Sequence, residues 1–527
     1  MMERTDLSAG NATSLPMRAA LWAAWLAGAT FLVMHHVMWR DEIRALMLAG
    51  RGGTLGEMIV QIRGYGHPEL WHILLRSALT LYPGPIVLPI LAFVIGAMAS
   101  ALLAFKAPFR PFVLALALFG AFSIYEYVAL ARNYGISVLI LFTIAWAYGR
   151  FRDRPGLIGL LLFALCNTNI HSVVLAGAFL LFWAVDLLRS EGKANARALR
   201  SFTVAAFLTL AGVAACFWQV YPPVDDAAML PSAKTSLLSL PTLIATRLGP
   251  AFYELMPPNL RDGLSVIILL PALLLVNLLE LRRSPAALVA TMAALIGLET
   301  VFLVIYPGSY RHQALFIAFL LTMLWIVEDS RAQSGSEVAR DGIRPALIVL
   351  LALQVYSSAL IFARVASGVP ESRSRDLAAL LARPALQDAI LLGDPDTMLE
   401  PVSYYVQNPI YLVRERRFGR TPTFSHAAAR QPMTIGRILS SAQALHARTH
   451  RPIVIALTEP LDPGMAYGER DRGYYGTLIV RREEVGAFLA ATRRIARFAP
   501  AATDESYDVY VLRDDTSRAR AHALTSK

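Results

Sequence analysis

Apolar and polar positions fall into two regimes along this chain. From Met17 to about Ala363, long apolar runs alternate with short polar turns. From about Ser372 the runs shorten, charges multiply, and strand-like and helix-like patterns alternate. The long runs are Met17 to Met38, Ile86 to Phe105, Phe112 to about Tyr127, Gly135 to Tyr148, Gly156 to Thr168, Val173 to Leu188, Phe202 to Tyr221, Leu264 to Leu281, Ala286 to Tyr306, His312 to Val327 and Ala346 to Ala363. A helix crosses the hydrocarbon core of a bilayer with roughly 20 apolar residues, so the pattern predicts about eleven spans. Glu69 to Tyr82 is apolar but short, and reads as an interfacial or partly inserted helix ahead of Pro83-Gly84-Pro85.

The stretch Trp39 to Trp71 interrupts this oily half with polar residues. Asp41 and Glu42 sit where the chain leaves the first run, and Ile43, Leu46 and Met47 follow at helical spacing, which predicts a short amphipathic helix in the interface. Thr54-x-x-Glu57 has the form of a capping box, with Leu55, Met58, Ile59 and Ile62 behind it and Gly64-Tyr65-Gly66 as a stop; His67-Pro68 comes next. A lone Asp in such a place serves as a helix cap more often than as a catalyst. The acidic pair, two interfacial helices and His-Pro, all in one loop, shift the balance toward chemistry.

Beyond Ser372, Ala389-Ile390-Leu391-Leu392, Ile410 to Val413, Ile453 to Ala456 and Val509 to Leu512 read as strands. Helices are expected near Thr397 to Val406, Ile435 to Ala447 and Glu483 to Arg497. This predicts a small soluble α/β domain over 372–513, followed by a polar tail, 514–527. Leu392-Gly393-Asp394-Pro395 lacks the glycine spacing of a dinucleotide site. The domain either covers the membrane-embedded part and helps to choose an acceptor, or is a stabilising cap without a ligand.

Composition agrees with the pattern: 56% of the 527 residues are hydrophobic, and the mean hydropathy is +0.49. Soluble domains usually stay at about 45–50% apolar, so a polytopic membrane protein is indicated. The net charge of +11 is carried largely by arginines between spans, which is what the positive-inside rule produces, and it does not point to nucleic acid. Arg150, Arg152, Arg154, Arg189, Lys193, Arg197, Arg200, Arg282 and Arg283 mark alternate loops as cytosolic. With residues 1–16 inside and the first run kept as a span for want of an A-x-A cleavage site, an odd number of spans leaves the 372–513 domain outside. Cys166 and Cys216 lie within apolar runs and read as core residues, so neither a disulfide framework nor a cysteine metal site is expected.

The same orientation collects five polar segments on the outer side: the Asp41 loop, Glu126 to Asn133, Asn167 to His171, 222–262 and Tyr306 to His312. Ionisable groups at membrane depth are costly enough to mark function. Glu126 suits an acceptor or a metal, and Arg132 a phosphate; alternatively they form an ion pair within an interfacial tyrosine belt. Asn167, Asn169 and His171 offer hydrogen bonds suited to sugar hydroxyls, or merely turn a hairpin. Tyr310 and Arg311 stand at the outer end of a span, where a lipid phosphate headgroup lies. His35-His36 reads as interfacial packing.

The order of these features, over roughly residues 17–365, resembles the GT-C glycosyltransferases, the lipid-carrier-dependent group that includes protein O-mannosyltransferases and lipid A aminoarabinose transferases. The resemblance implies a GT-C-like membrane domain over 17–365, with 39–71 as its catalytic first outer loop. It implies Asp41, with Glu42, as the catalytic carboxylate, and Arg311, Arg132 and His67 as ligands of the donor phosphate. Glu126, Asn167, Asn169, His171 and Tyr310 would meet the acceptor or the sugar. Members of the family differ in their need for a divalent cation; here Mg²⁺ or Mn²⁺ would be held by Asp41, Glu42 and His67. The expected partners are a polyprenyl-phosphate-linked sugar, an envelope glycan, glycolipid or protein acceptor and the lipid bilayer, in a bacterial inner membrane. A transporter or flippase for a lipid-linked or anionic substrate also needs many spans, but usually places its charges near mid-membrane and in repeated halves, and no repeat is visible here. A non-catalytic export subunit would leave the Asp-Glu loop without a role.

Overall fold

The computed structural model describes residues 14–154, 156–189, 196–221, 239–333, 344–423, 425–426, 431–472 and 476–513. They divide into two compact units. One holds 14–34, Gly52–Tyr221 and 239–364; the other holds His35–Arg51 and 365–513. The stretch read as one outer loop is therefore divided, with Asp41 and Glu42 in the second unit and His67 in the first. The tail 514–527 and residues 1–13 lie outside the described residues, as does much of the outer segment 222–262.

The first unit is helical. Among the described residues, eight helices are long and apolar enough to cross a membrane: Leu15–His35, Val87–Lys106, Tyr134–Phe151, Ile170–Arg189, Ala196–Val220, Pro285–Val304, Tyr310–Ala332 and Pro345–Ala366. The chain is a multi-pass membrane protein. The other three expected runs are helical but shorter. Leu157–Cys166 and Ser265–Leu279 are apolar helices below span length. The run from Phe112 is broken where Gly120 takes an extended conformation, leaving Pro111–Phe119 and a π-helical turn, Phe122–Glu126. Glu69 to Tyr82 forms the short helix Leu70–Leu81.

The exposed face shows what solvent these helices are made for. On Val87–Lys106, Ile90, Val94 and Met98 are exposed at i, i+4 and i+8, while Ala92, Ile95, Ala99 and Leu103 are buried. An apolar stripe turned outward beside an apolar packed face suits lipid on one side and neighbouring helices on the other. Tyr310–Ala332 is enclosed instead, with Phe316, Phe319 and Trp325 fully buried. Gly135 lets the helix Tyr134–Phe151 start close to the preceding turn, since a Cβ there would stand 2.6 Å from the Tyr127 carbonyl oxygen. Cys166 and Cys216 are buried free thiols. The capping box forms as its spacing predicts: Thr54 Oγ1 accepts from the Glu57 amide at 3.2 Å, and Glu57 Oε2 accepts from the Thr54 amide at 3.2 Å, opening the helix Leu55–Gln61.

Among the described residues of the second unit nine strands follow in chain order: β1 Ile390–Asp394, β2 Ile410–Leu412, β3 Arg417–Phe418, β4 Met433–Thr434, β5 Ile453–Leu457, β6 Gly468–Asp471, β7 Thr477–Val480, β8 Thr492–Phe498 and β9 Tyr507–Leu512. Six form a sheet in the order β3-β2-β1-β5-β9-β8, in which β1 runs parallel to β2 and β5, and β9 runs antiparallel to β5 and β8. Strands β4, β7 and β6 make a smaller sheet. Alternation along β1 feeds two cores: Ile390 and Leu392 join Ile438 and Leu439 of the helix Ile435–Thr449, while Leu391 joins Leu377 and Leu381 of the helix Ser374–Leu381. Burial on both faces is why the central strands read as continuous apolar runs.

Two expected helices differ. The segment after β1 is a 3-10 helix, Asp396–Tyr404, with Pro401 inside it. The helix from Glu483 ends at Ala491, because Thr492–Phe498 pairs with β9 instead, with a bulge between Arg494 and Ala496. Pairing with a neighbour overrides the helical preference of that basic stretch.

Behind β1, Asp396 accepts from the Val413 amide at 3.0 Å and the Arg414 amide at 3.2 Å. Burial pushes its carboxyl up to about 8, and the Asp394 charge adds to the rise. The stability it contributes is fully present below its ordinary value of 3.8 and is lost as pH rises through about 8. The sheet unit is therefore expected to melt higher at mildly acid than at mildly alkaline pH. Asp396→Asn should flatten that dependence by at least a few degrees, at roughly 2–4 °C per kcal/mol for a unit of this size. Scanning fluorimetry of the full protein in detergent checks it; an unchanged pH slope in the variant would refute it.

Candidate functional site

Asp41 lies on the helix Arg40–Ala49, whose N-cap is Trp39. Ile43 and Leu46 are buried, so the amphipathic face expected for the membrane interface packs within the second unit. Glu42, three residues after the N-cap, turns back so that its Oε2 accepts from the Trp39 amide at 3.1 Å. The same oxygen lies 2.8 Å from His36 Nε2, and both side chains are buried. The capping task thus falls to Glu42. Asp41, half-buried at the second helical position, is placed where the helix dipole favours a carboxylate.

The chain entering this helix is stitched to the C-terminal residues. Arg375 donates to the His36 carbonyl at 2.9 Å, Ser374 Oγ to the Met38 carbonyl at 3.0 Å, and the Met38 amide to Tyr405 Oη at 3.2 Å. The Arg40 amide donates to Glu505 Oε1 at 2.9 Å, and its guanidinium forks onto Asp504 at 2.6 and 3.2 Å. Arg44 forms a buried ion pair with Glu400. Burial pushes the Glu400 carboxyl up to about 7 against the pull of Arg44, with the Asp41 charge adding to the rise. Burial likewise pushes Glu505 up to about 8, against Arg40.

The first unit gathers a separate polar cluster from its turns. Side-chain contacts join the start of Tyr134–Phe151, the turn 167–169 and the start of Tyr310–Ala332: Asn133 donates to the Thr168 carbonyl, Tyr134 meets His312, and His171 packs on His312. Arg132 Nη2 lies 3.2 Å from His67 Nε2. Glu126 Oε1 lies 3.4 Å from Arg311 Nε, and Tyr127 Oη donates to the Arg311 carbonyl at 2.8 Å. The Ser309 amide donates to His312 Nδ1 at 2.9 Å, which leaves Nε2 as the protonated nitrogen of the neutral ring. That nitrogen meets Tyr134 Oη at 2.7 Å. His171 packs against His312 with ring centroids 4.5 Å apart, and both its ring nitrogens are buried without a hydrogen bond.

Arg132 with His67, and Arg311 with Glu126, are brought together in pairs. Tyr310 is tied to its surroundings, its amide donating to Glu254 at 2.8 Å and its hydroxyl to Gln354 Oε1 at 2.6 Å. The amides of Asn167 and Asn169 face inward: Asn167 Nδ2 donates to the Phe163 carbonyl at 2.8 Å, and Asn169 Nδ2 to Ser137 Oγ at 2.8 Å. They hold their turn. Four residues not singled out as site residues take part: His312, which ends the segment Tyr306 to His312, Tyr134, which follows Glu126 to Asn133, His36, read above as packing, and Glu400, for which no sequence pattern exists.

Among the described residues no group of three or more His, Cys, Asp and Glu side chains comes together as metal ligands. Glu42 Oε2 is engaged by His36 and by the Trp39 amide. No step below is routed through a metal.

No family model matches the chain, and no curated protein matches it. Among solved structures it is similar to ArnT from Cupriavidus metallidurans bound to undecaprenyl phosphate, at 12% identity and a TM-score of 0.42, covering 94% of this chain and 97% of that one. It is also similar to the arabinofuranosyltransferase AftD from Mycobacteria, at 15% identity and a TM-score of 0.35, covering 95% of this chain and 42% of that one. At these scores neither likeness carries an argument about the fold or the site.

Proposed function

We propose that this chain is a membrane glycosyltransferase of the GT-C type, moving a sugar from a polyprenyl-phosphate carrier to a hydroxyl of an extracytoplasmic acceptor. The observation that carries the reading is the clustering of Arg132, His67, Arg311 and Glu126 from turns up to 244 positions apart at one end of the spans. Two guanidinium groups and an imidazole at that depth are suited to the phosphate of a lipid carrier, and arginine's planar fork to two of its oxygens.

A sugar carried on a lipid phosphate already contains its leaving group. The acceptor oxygen attacks the anomeric carbon as the bond from that carbon to the phosphate oxygen breaks, inverting the configuration. The acceptor's proton goes to a carboxylate base, the role that the resemblance gives to Asp41, and the carrier phosphate leaves with the bonding electron pair, a charge suited to stabilisation by Arg311 and Arg132. The acceptor is an envelope glycan, glycolipid or protein, and the setting is a bacterial inner membrane with the sheet unit outside.

The direct test is transfer from a series of polyprenyl-phosphate sugars by purified protein in lipid, read as released polyprenyl phosphate. Mass spectrometry of envelope glycans from cells with and without the gene identifies the acceptor. Failure to use any such donor would refute the reading. Orientation is tested separately: a reporter active only outside the membrane is expected to work when fused after residue 372 and to fail in the 189–200 loop, because arginine asymmetry sets topology. The reverse pattern would overturn the assignment.

A further inference from the structure

We propose that Glu400, on the far side of the sequence from Asp41, is a positioning residue for the Asp41 carboxyl, acting through Arg44. This rests on the reading of Asp41 as the base. Arg44 follows Asp41 by three positions, so the two side chains lie on the same face of the helix Arg40–Ala49. Arg44 is clamped by Glu400, whose side chain is 1% exposed. The other Glu400 oxygen, Oε2, is buried and makes no hydrogen bond, so this carboxyl is held in place at a cost.

Glu400 is itself set in a rigid seat. Tyr507 Oη donates to the Met398 carbonyl at 2.6 Å, Ser403 Oγ donates to the Glu400 carbonyl at 2.7 Å, and Asp396 ties the start of the segment to Val413 and Arg414, just after β2. Arg40, the residue before Asp41, is fixed by Asp504 and Glu505. Along the helix Asp41 is thus flanked in sequence by Arg40 and Arg44, each fastened to an acid that lies more than 350 positions away.

A buried ion pair is a poor device for stability, since well-packed apolar residues of the same volume do as well or better. What it supplies is a defined position. A base displaced by about 1 Å can lose on the order of 10²-fold in rate. Of the charged groups around Glu400, Arg44 and Arg40 favour its charged form and Asp41 opposes it, and the ion pair with Arg44 holds that guanidinium in place.

The test uses the full-length protein in lipid, with two readouts. Turnover from the polyprenyl-phosphate sugar series is expected to fall about 10- to 100-fold per folded molecule in Glu400→Gln, with the donor KM within about twofold of wild type, because position and not donor binding is lost. Glu400→Asp is expected to recover part of the rate. Amide exchange over residues 40–49 is expected to rise in Glu400→Gln. Should the single variant fail to fold, the paired Arg44→Met, Glu400→Met protein removes both charges together and is expected to fold while keeping the rate defect. Wild-type turnover per folded molecule in either protein overturns the proposal, as does unchanged exchange over 40–49. If wild type itself uses no donor, the functional reading fails, while the exchange measurement still decides whether Glu400 holds the helix.

Discussion

Asp41→Asn is expected to give a folded protein whose turnover falls by about 10²–10⁴-fold, the usual loss on removing a general base. Asn matches Asp in size and ranks with it at helix N-termini, so an Asp41 that merely favoured the helix would be replaced at little cost. The geometry sharpens the contrast, because the backbone of this helix is capped by Glu42 through the Trp39 amide. Glu42→Gln keeps an oxygen for that amide but removes the charge facing His36, so its first effect should be on stability. The assay compares both variants with wild type at matched thermal transition. If Asp41→Asn retains more than roughly a tenth of wild-type turnover, Asp41 is not the base.

Arg311→Ala is expected to lower kcat/KM for the lipid donor by about 10- to 100-fold, in line with roughly 1.5–3 kcal/mol for a hydrogen bond to a charged group. Arg311→Lys should lose less, since it keeps the charge and gives up only the fork. The complication is Glu126, whose side chain pairs with Arg311 at 3.4 Å while both are largely buried. Removing Arg311 alone leaves that carboxylate uncompensated and damages the protein for a reason unrelated to phosphate. The paired Glu126→Gln, Arg311→Gln protein separates the two effects. If the ion pair only orients the hairpin, the double variant recovers activity; if Arg311 meets the carrier phosphate, the defect persists.

The sequence already contained most of what is local. Apolar runs announced helices at each of the eleven expected places, because a segment that must satisfy its own backbone in lipid has no alternative but to be helical. Thr54 and Glu57 announced the start of their helix, and β1, β2, β5 and β9 appeared as apolar runs at strand length. Lengths were less legible: Gly120 divides one run, and the strand at Thr492–Phe498 exists only because β9 lies beside it.

The candidate site divides in the same way. That Asp41, Glu42, Arg132 and Arg311 were worth attention followed from charge beside long apolar runs, a signal that each residue carries in its own neighbourhood. Which of them meet did not. The partner of Arg311 is Glu126, the partner of Arg44 is Glu400 and the ends of Arg40 are held by Asp504 and Glu505, pairs separated by 185 to 465 positions. A side-chain ion pair leaves no periodic trace in a sequence, because either partner alone is compatible with a solvated surface. Even the division of the Asp41 loop, with His35–Arg51 packed beside residues 365–513 and Gly52 onward among the spans, depended on packing. Helices are fixed by interactions within four residues, and the sequence determined them; the company a buried charge keeps is fixed by desolvation in three dimensions, and only the tertiary structure decided it.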